Sequence, residues 1–499
     1  MSFPTPYAVQ AASVAQANNY KQLFTFYDKS ATFRLVEKRK TMGLLNKIAQ
    51  YRELKSGVKH CTFNPSGPGV VRIHLIPPKF KLLENSSYIC ILNGYYLLPL
   101  GYSWAIMLSA FMAEVNNYDG REITDTDYDT IFDKTVKSTL KVYPFTSKDE
   151  IREDLSYMLD VIFAVARGEG TDADIERMSI RSYSKHMYAP HRMDLMVSAM
   201  TDGVGRWKCN QRCLFCYAAG EKLSGTKELS TGEWMRAIDK IKAAGVPMLT
   251  FTGGEPTQRE DICQLIEYSK WFVTRLNTNG VLLTEELCKG LCDASLDSLQ
   301  ITLYSYNEEI HNALVGAPCF EKTVAGINNA VKSGLDVSIN TPLCKKNADY
   351  LETLRFINSL GVRFVTVSGL ICTGMAENRH GEYDLNGGEL YEIIKAAKQF
   401  CDENGMEIDF TSPGLVDDAR LEELNMKVPM CGACLSNMAI APDGTVIPCQ
   451  SWLSADGALG NILTDSFTAI WDKTICKRLR NMTDEEARCC PFRKRGENG

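Results

Sequence analysis

The feature that most constrains the fold is an alternation of two kinds of segment between residues 190 and 410. Short apolar runs of strand length alternate with amphipathic segments of helix length, a pattern typical of repeated βα units around a parallel sheet. Strands are predicted near 194–199, 248–251, 274–277, 298–304, 337–340 and 364–367. Helices are predicted near 231–244, 261–270, 285–292, 320–332, 350–360 and 388–403. In such a fold the chemistry lies at the carboxyl ends of the strands.

Three cysteines follow the first predicted strand at spacings of four and three residues. Cys209, Cys213 and Cys216 lie in the string KCNQRCLFCY, residues 208–217. Thiolates are soft ligands that suit iron-sulfur clusters, and three of them can hold an iron-sulfur cube with one iron open to a small molecule. Because the chain has 18 cysteines in 499 residues, this spacing is suggestive rather than decisive, and its surroundings must be weighed.

The second predicted strand ends in the string TGGEP, residues 252–256. Alone, this string favours an ordinary strand-to-helix turn. Together with the cysteine triplet it resembles the radical S-adenosylmethionine (radical SAM) enzymes, whose cluster loop follows the first strand of a partial barrel and whose GGEP follows the second. The resemblance covers residues 190–410 and implies a partial (β/α)6 TIM-like barrel in an α/β fold.

The resemblance also implies cofactors and roles. A 4Fe-4S cluster held by the cysteine triplet would bind S-adenosylmethionine and reduce it to a 5'-deoxyadenosyl radical. Phe215 is expected near the adenine and Asn279, in the string NTNG, near the ribose. Gly253 and Gly254 would let the backbone approach the cofactor, and Glu255 would accept from its ammonium group. No catalytic acid or base is assigned.

The fourth predicted strand departs from the family pattern at its end. It closes with TLYS, residues 302–305, where many relatives have SLDG. Tyr304 and Ser305 are therefore candidates for substrate contact, and simple packing is the alternative for the tyrosine. His311 is predicted to be a satisfied structural histidine, because no partner for a catalytic role is visible.

A second cysteine group lies near the carboxyl terminus. Cys431 and Cys434 form a C-x2-C pair, and a hairpin turn at Asp443-Gly444 would bring Cys449 back beside them. This region resembles the SPASM or twitch extension of radical SAM enzymes and implies one auxiliary 4Fe-4S cluster.

The fourth ligand of that cluster is expected to be Cys490, with Cys489 and Cys476 as alternatives. If none of them coordinates, substrate could bind that iron directly. A zinc knuckle is the competing interpretation, because C-x2-C with two later cysteines also suits tetrahedral zinc.

The sequence before the barrel is predicted to form a winged-helix-like α+β domain. A hairpin is expected at 86–93 and 95–98, followed by helices near 102–115, 125–139 and 147–166. The region resembles the precursor-recognition domain of enzymes that modify ribosomally made peptides, through the strings at 119–124 and 149–154. A peptide leader would then add a strand to a sheet edge; the alternative is a cap that only stabilises the barrel.

The predicted domain organisation has five segments. They are an extension at 1–80, the winged-helix-like domain at 81–170, a linker at 171–190, the barrel at 191–410 and the auxiliary-cluster domain at 411–499.

Composition limits the location and partners of the chain. No export signal and no apolar run of eighteen residues is present, so neither secretion nor membrane spanning is expected. Many thiols predict a reducing, cytoplasmic compartment. A net charge of -6 without long blocks gives no basis for nucleic-acid binding.

The functional prediction is a radical SAM oxidoreductase that modifies a precursor peptide by a thioether or carbon-carbon crosslink or another oxidation. A flavodoxin or ferredoxin is expected to supply electrons. The alternatives are oxidation of a small molecule, oxidation of a residue on a folded protein as in sulfatase maturases, and a non-enzymatic zinc or electron-transfer protein.

Overall fold

The computed structural model describes residues 57–63, 70–78, 88–118, 123–167, 178–202, 204–379 and 381–491. The chain divides into two compact units, Met1–Tyr188 with Trp271–Val273, and Ala189–Lys270 with Thr274–Gly499. Parts of all five predicted segments lie outside the described residues. They are 1–56, 64–69 and 79–80 of the extension; 81–87, 119–122 and 168–170 of the winged-helix-like domain, with 86–87 of the hairpin and most of one recognition string; 171–177 of the linker; 203 and 380 of the barrel; and 492–499 of the auxiliary-cluster domain. Within the described part of the chain, no helix is both long and apolar enough to cross a membrane.

The first unit contains a four-stranded antiparallel sheet. Its strands, in spatial and chain order, are β1 Lys59–Phe63, β2 Val71–Ile76, β3 Tyr88–Leu92 and β4 Tyr96–Leu100. The predicted hairpin is β3 and β4, joined by residues 93–95, in which Asn93 and Gly94 have φ of 48° and 69°, the positive values that an Asn-Gly hairpin turn needs. The other two strands come from the segment predicted as an extension, so the sheet is larger than the sequence indicated.

Three helices follow this sheet, close to their predicted positions. They are α1 Tyr102–Asn116, α2 Asp125–Val142 and α3 Lys148–Arg167, with a short α4 at Ile180–Tyr183. A capping box begins α3, because Ser147 and Glu150 exchange backbone-to-side-chain hydrogen bonds of 3.0 Å. The apolar faces of sheet and helices share one core, which makes this unit an α+β domain.

The second unit is built on a ten-stranded sheet. Its strands are β5 Arg192–Ser198, β6 Met248–Gly253, β7 Val273–Thr278, β8 Ser298–Thr302, β9 Val337–Pro342, β10 Phe364–Ser368, β11 Glu407–Phe410, β12 Asn437–Ile440, β13 Thr445–Ile447 and β14 Gly460–Asn461. The spatial order is β11-β10-β9-β8-β7-β6-β5-β12-β13-β14. The six predicted strands, β5 to β10, are neighbours in sequence order, which confirms the partial barrel.

Two strands extend the parallel sheet beyond the six predicted ones. β11 pairs in parallel with β10, and β12 pairs in parallel with β5. β12 also forms the antiparallel hairpin with β13. The cysteine-rich carboxyl-terminal region therefore continues the barrel sheet directly.

The second unit has eleven described helices, and six of them match the six predicted helices within about two residues. The eleven are α5 Thr231–Ala244, α6 Ile262–Tyr268, α7 Glu285–Asp293, α8 Glu308–Val315, α9 Phe320–Lys332, α10 Tyr350–Ser359, α11 Gly387–Glu403, α12 Asp418–Glu423, α13 Phe467–Trp471, α14 Thr474–Arg480 and α15 Asp484–Ala487. Each βα connection from β5 onward leaves the sheet at the same edge, and the candidate residues lie on these connections.

Candidate iron-sulfur and cofactor site

The loop that carries the cysteine triplet, residues 199–217, follows β5 and is fixed from two sides. The Leu214 N–H donates to the Leu314 carbonyl at 2.8 Å, and the Met375 N–H donates to the Cys216 carbonyl at 3.0 Å. These partners follow β8 and β10, so the barrel loops hold the cysteine loop by its backbone. A loop held in this way presents its side chains in one geometry.

The structure brings the three thiols of the triplet together. The pKa of Cys209 is raised to about 12, mainly by burial and then by the nearby Glu255 and Cys216, while the Gln211 N–H opposes the rise. Burial also raises the pKa of Cys213 well above its usual value, with Cys216 and Cys209 as the next causes. The free thiols are therefore protonated at neutral pH, and binding a metal would have to release those protons.

Glu255 is a buried carboxylate, 1% exposed, that joins the ends of β6 and β7. Its Oε1 accepts from the Thr257 N–H at 3.0 Å and from the hydroxyls of Thr257 and Thr278, both at 2.6 Å. Its Oε2 accepts from the Asn279 N–H at 2.8 Å. Burial raises the pKa of Glu255, and these donors oppose the rise. The expected contact with a cofactor ammonium stays a prediction; the structure adds a role in holding two loops together.

Gly253 and Gly254 pack against the end of β5. A Cβ on Gly253 would lie 2.3 Å from the Ser198 carbonyl oxygen, and Gly253 has a φ of 137°. A Cβ on Gly254 would lie 2.8 Å from the Ala199 carbonyl oxygen. A side chain at either position would therefore collide with the end of β5; the expected approach of the backbone to the cofactor stays a prediction.

Asn279 connects the end of β7 to the cysteine loop. Its Nδ2 donates to Oδ1 of Asn210 at 2.6 Å, and its own Oδ1 accepts from the Val281 N–H at 3.1 Å. Asn210 is the residue after Cys209. The side chain therefore stabilises the loop beside the first cysteine, and its expected contact with a ribose remains untested.

Phe215 lies in an aromatic cluster next to the triplet. It is 6% exposed, and its ring meets Tyr383 at a centroid distance of 5.2 Å. Tyr304 belongs to the same cluster. Burial raises the pKa of Tyr304 strongly, and Cys213 and Cys216 are the next causes of the rise. The unusual tyrosine at the end of β8 thus lies beside two of the three thiols.

His311 is buried in α8 and only half satisfied. Its Nδ1 accepts from the Tyr304 N–H at 3.4 Å, whereas its Nε2 is buried without a hydrogen-bond partner. Burial lowers the pKa of His311 to about 4. The expectation that this histidine is satisfied was wrong, because one ring nitrogen has no partner; its structural role stays a prediction.

Several buried polar atoms at the cofactor end of the barrel have no hydrogen-bond partner. They are Ser198 Oγ, Asn210 Nδ2 and Asn277 Oδ1. Buried polar groups are normally paired, and a ligand with amino, carboxylate and ribose groups offers partners of both kinds. Together with three adjacent thiols, these atoms fit an iron-sulfur cluster with S-adenosylmethionine.

The second cysteine group is assembled by the β12–β13 hairpin and α15. Gly444 at the hairpin turn has a φ of 88°, and the Cys431 N–H donates to the Ala487 carbonyl at 2.7 Å. Cys449 lies close to Cys431 and Cys490. Burial is the main cause that raises the pKa of Cys449, and these two cysteines raise it further. The structure therefore brings the predicted fourth ligand beside the predicted set.

Two further cysteines differ in their surroundings. Cys476 is fully buried and hydrogen-bonds with the Cys434 sulfur. The Cys489 sulfur is directed to the Cys490 carbonyl at 3.6 Å. Within the described residues no group of three or more His, Cys, Asp or Glu side chains is arranged to hold a single metal ion.

Tyr217 is a residue whose position the sequence analysis missed. Its side chain hydrogen-bonds with Thr252, and its pKa is raised by burial and then by Cys216, Asp194 and Cys449. It is therefore close to both cysteine groups. Sequence offers only its place after the third cysteine, because Cys449 is more than two hundred residues away.

Comparison with known proteins agrees with this geometry. Residues 208–357 match the Radical SAM superfamily, and residues 431–491 match the SPASM iron-sulfur cluster-binding domain. The AdoMet-dependent heme synthase of Methanosarcina barkeri is 28% identical over 310 residues, covering 57% of this chain and 86% of the relative. The heme synthase of Oleidesulfovibrio alaskensis is 27% identical over 300 residues, covering 56% and 76%.

A solved structure has a similar fold. Streptococcus suis SuiB, crystallised with its precursor peptide SuiA, superposes with a TM-score of 0.53 at 14% identity. The superposition covers 79% of this chain and 87% of SuiB. At this identity the likeness concerns the fold alone.

The two domain matches, together with the partial barrel and the cysteine triplet, define the class of the protein: it is a radical SAM enzyme. More particularly, it is a radical SAM enzyme that carries a SPASM domain. Its cofactors are accordingly a 4Fe-4S cluster, S-adenosylmethionine and auxiliary iron-sulfur chemistry, as predicted, and the non-enzymatic alternative is set aside.

Proposed function

We propose that this enzyme modifies a ribosomally made precursor peptide, forming a thioether or carbon-carbon crosslink or oxidising another unactivated position. The α+β unit before the barrel supports this proposal. SuiB, which was crystallised with a precursor peptide, superposes on 79% of the chain. Residues 189–499 make up a smaller share of the chain than this, so the superposition must include part of the first unit. A fold likeness that extends into the first unit is the observation that carries the proposal.

The proposed cluster site uses the residues described above. Cys209, Cys213 and Cys216 would hold the first cluster, and Phe215 would line the cofactor. When bound, the cluster and S-adenosylmethionine supply a carbon radical that abstracts hydrogen, and an auxiliary cluster supplies a one-electron acceptor. A partly closed barrel would keep such a radical away from water and from stray hydrogen donors.

The proposed auxiliary ligands are Cys431, Cys434, Cys449 and Cys490. Cys449 has Cys431 and Cys490 as neighbours, which supports Cys490 over Cys489. A low-potential donor, a flavodoxin or ferredoxin in a reducing cytoplasm, would deliver the electrons.

The cofactor part of the proposal is tested by iron counting under nitrogen. The native chain should hold about eight irons, two cubes of four. Replacing Cys209, Cys213 and Cys216 with alanine should remove about four irons and abolish deoxyadenosine production. Replacing Cys431, Cys434 and Cys449 should also remove about four irons but leave reductive cleavage of S-adenosylmethionine. Undiminished cleavage in the first variant would refute the assignment.

The substrate part needs a peptide. A short open reading frame beside the gene should encode a precursor of some tens of residues. Incubation with the reduced enzyme should remove hydrogen atoms from its core, measured by mass spectrometry, and a peptide without its leader should be a poor substrate. If the chain neither binds nor changes any such peptide, the peptide assignment fails while the radical SAM assignment stands.

A second candidate is oxidation of a small molecule in the synthesis of heme. The curated relatives with that name match 57% and 56% of the chain, a share that residues 189–499 can supply without the first unit. Turnover of a tetrapyrrole precursor, with no change in any peptide, would favour this candidate.

A further inference from the structure

Gln211 contacts Trp207, Cys209 and Cys213 of the cysteine loop, although no sequence pattern marks it as a site residue. It is 5% exposed and lies between the first and second cysteines of the triplet. Its carbonyl oxygen accepts from the Trp207 indole N–H at 2.8 Å. Its backbone N–H donates to the Cys209 sulfur. These two hydrogen bonds fix the backbone of Gln211, and they therefore limit the positions that its side chain can reach.

The Gln211 amide spans two sulfur atoms. The Cys213 thiol donates to Oε1 at 3.5 Å, and Nε2 donates to the Cys319 sulfur at 3.2 Å. Cys319, 6% exposed, lies at the start of α9 and is 108 residues from Gln211. A thiol outside both cysteine groups is thus connected to the triplet through one buried amide.

The three sulfurs of the triplet differ in their donors. Cys209 receives the Gln211 N–H, and Cys216 receives the N–H groups of Ala218 and Ala219. Among the described contacts, the Cys213 sulfur accepts no hydrogen bond from the backbone N–H of another residue. The Cys213 thiol hydrogen-bonds with the Gln211 amide.

The present orientation of that amide suits a protonated Cys213 only. A ligating sulfur is a thiolate, which has no proton to donate, so Oε1 would then face a negative sulfur. Turning the amide over exchanges two groups of nearly equal shape. Nε2 then donates to Cys213, and Oε1 accepts from the Cys319 thiol, which keeps its proton.

We propose that Gln211 is a positioning residue for the radical SAM cluster, donating a hydrogen bond to the Cys213 sulfur while the Cys319 thiol holds the amide in that orientation. This inference rests on the proposed ligation by Cys213. A hydrogen bond to a cluster sulfur stabilises the more negative, reduced state, so it raises the reduction potential of the cluster.

The test is a potentiometric titration of the full-length, reconstituted protein, followed by electron paramagnetic resonance. The cluster in question is the one whose signal changes when S-adenosylmethionine is added. Gln211→Leu should shift its midpoint to lower potential at an unchanged iron content. Cys319→Ala should give a smaller shift in the same direction, and Cys319→Ser, which keeps a donor, should restore the native midpoint.

A control variant and a fallback make the outcome decisive. Cys288→Ala removes another fully buried thiol, which lies near Cys292 and Glu285, and should leave the midpoint unchanged. If Gln211→Leu does not take up iron, Cys319→Ala decides, because it leaves the loop intact. Native midpoints in both variants would overturn this inference alone. A native chain without a signal that responds to S-adenosylmethionine would overturn the proposed function as well.

Discussion

Replacing Glu255 with glutamine measures how much the buried carboxylate contributes to the barrel. The amide keeps one oxygen, which can serve the three donors at the Oε1 position. Its NH2 group then faces the Asn279 N–H, which donates at 2.8 Å in the native protein. A buried donor without a partner costs about 1–3 kcal/mol, and three hydrogen bonds become neutral and weaker. Relief of the buried charge offsets part of this loss, so we expect Glu255→Gln to lower the free energy of unfolding by about 2 kcal/mol.

The assay is denaturant unfolding under nitrogen, followed by circular dichroism, with binding of S-adenosylmethionine measured on the same samples. Glu260→Gln is the matched control, because Glu260 is exposed and should change stability by no more than about 0.5 kcal/mol. Glu255→Ala leaves all four donors without an acceptor, so it should lower the free energy of unfolding more than Glu255→Gln does. Equal stabilities of Glu255→Gln and Glu260→Gln would refute the reasoning.

Three further predictions follow from the described contacts. The pKa of His311, lowered to about 4 from 6.5, makes the unfolded chain the better proton acceptor, so stability should fall as pH drops below 6.5. At pH 5 the loss should be about 2 kcal/mol and should be missing from His311→Leu; equal pH dependence in both proteins would contradict this. Cys490→Ala should lose auxiliary iron, whereas Cys476→Ala should retain about four auxiliary irons, and the reverse result would reassign the ligand. Gly326→Ala, whose Cβ would lie 2.1 Å from the Gly280 carbonyl oxygen, should destabilise the barrel by about 1–3 kcal/mol. Gly232→Ala, with open space around it, should be neutral in the same unfolding assay.

The secondary structure of the second unit could be predicted because its signals are local. Helix α5 has the predicted bounds, since its capping box at Ser230 and Glu233 and the αL residue Gly245 are all contained in one short stretch. The first unit was harder to predict. β1 and β2, KHCTF and VRIHLI, contain charged and polar residues, and they lack the alternation with amphipathic helices that marked the equally short strands of the second unit.

In the candidate site, too, some features could be predicted from local sequence and others could not. The triplet spacing indicated a cluster, because thiolate chemistry needs only those three residues in one loop. The surroundings of each thiol depend on loops that follow different strands, so neither the four donors on Glu255 nor the Cys319 partner of Gln211 could be found from spacing.

By itself, the sequence determined the alternating βα pattern, the thiol-rich loops and the hairpin turn at Gly444, because each depends on residues near one another in the chain. Only the tertiary structure decided that β11 and β12 extend the parallel sheet, that Cys490 lies beside Cys449, and that Tyr217 is close to both cysteine groups. These contacts join residues that are far apart in the chain, and packing around the common sheet selects which of them meet.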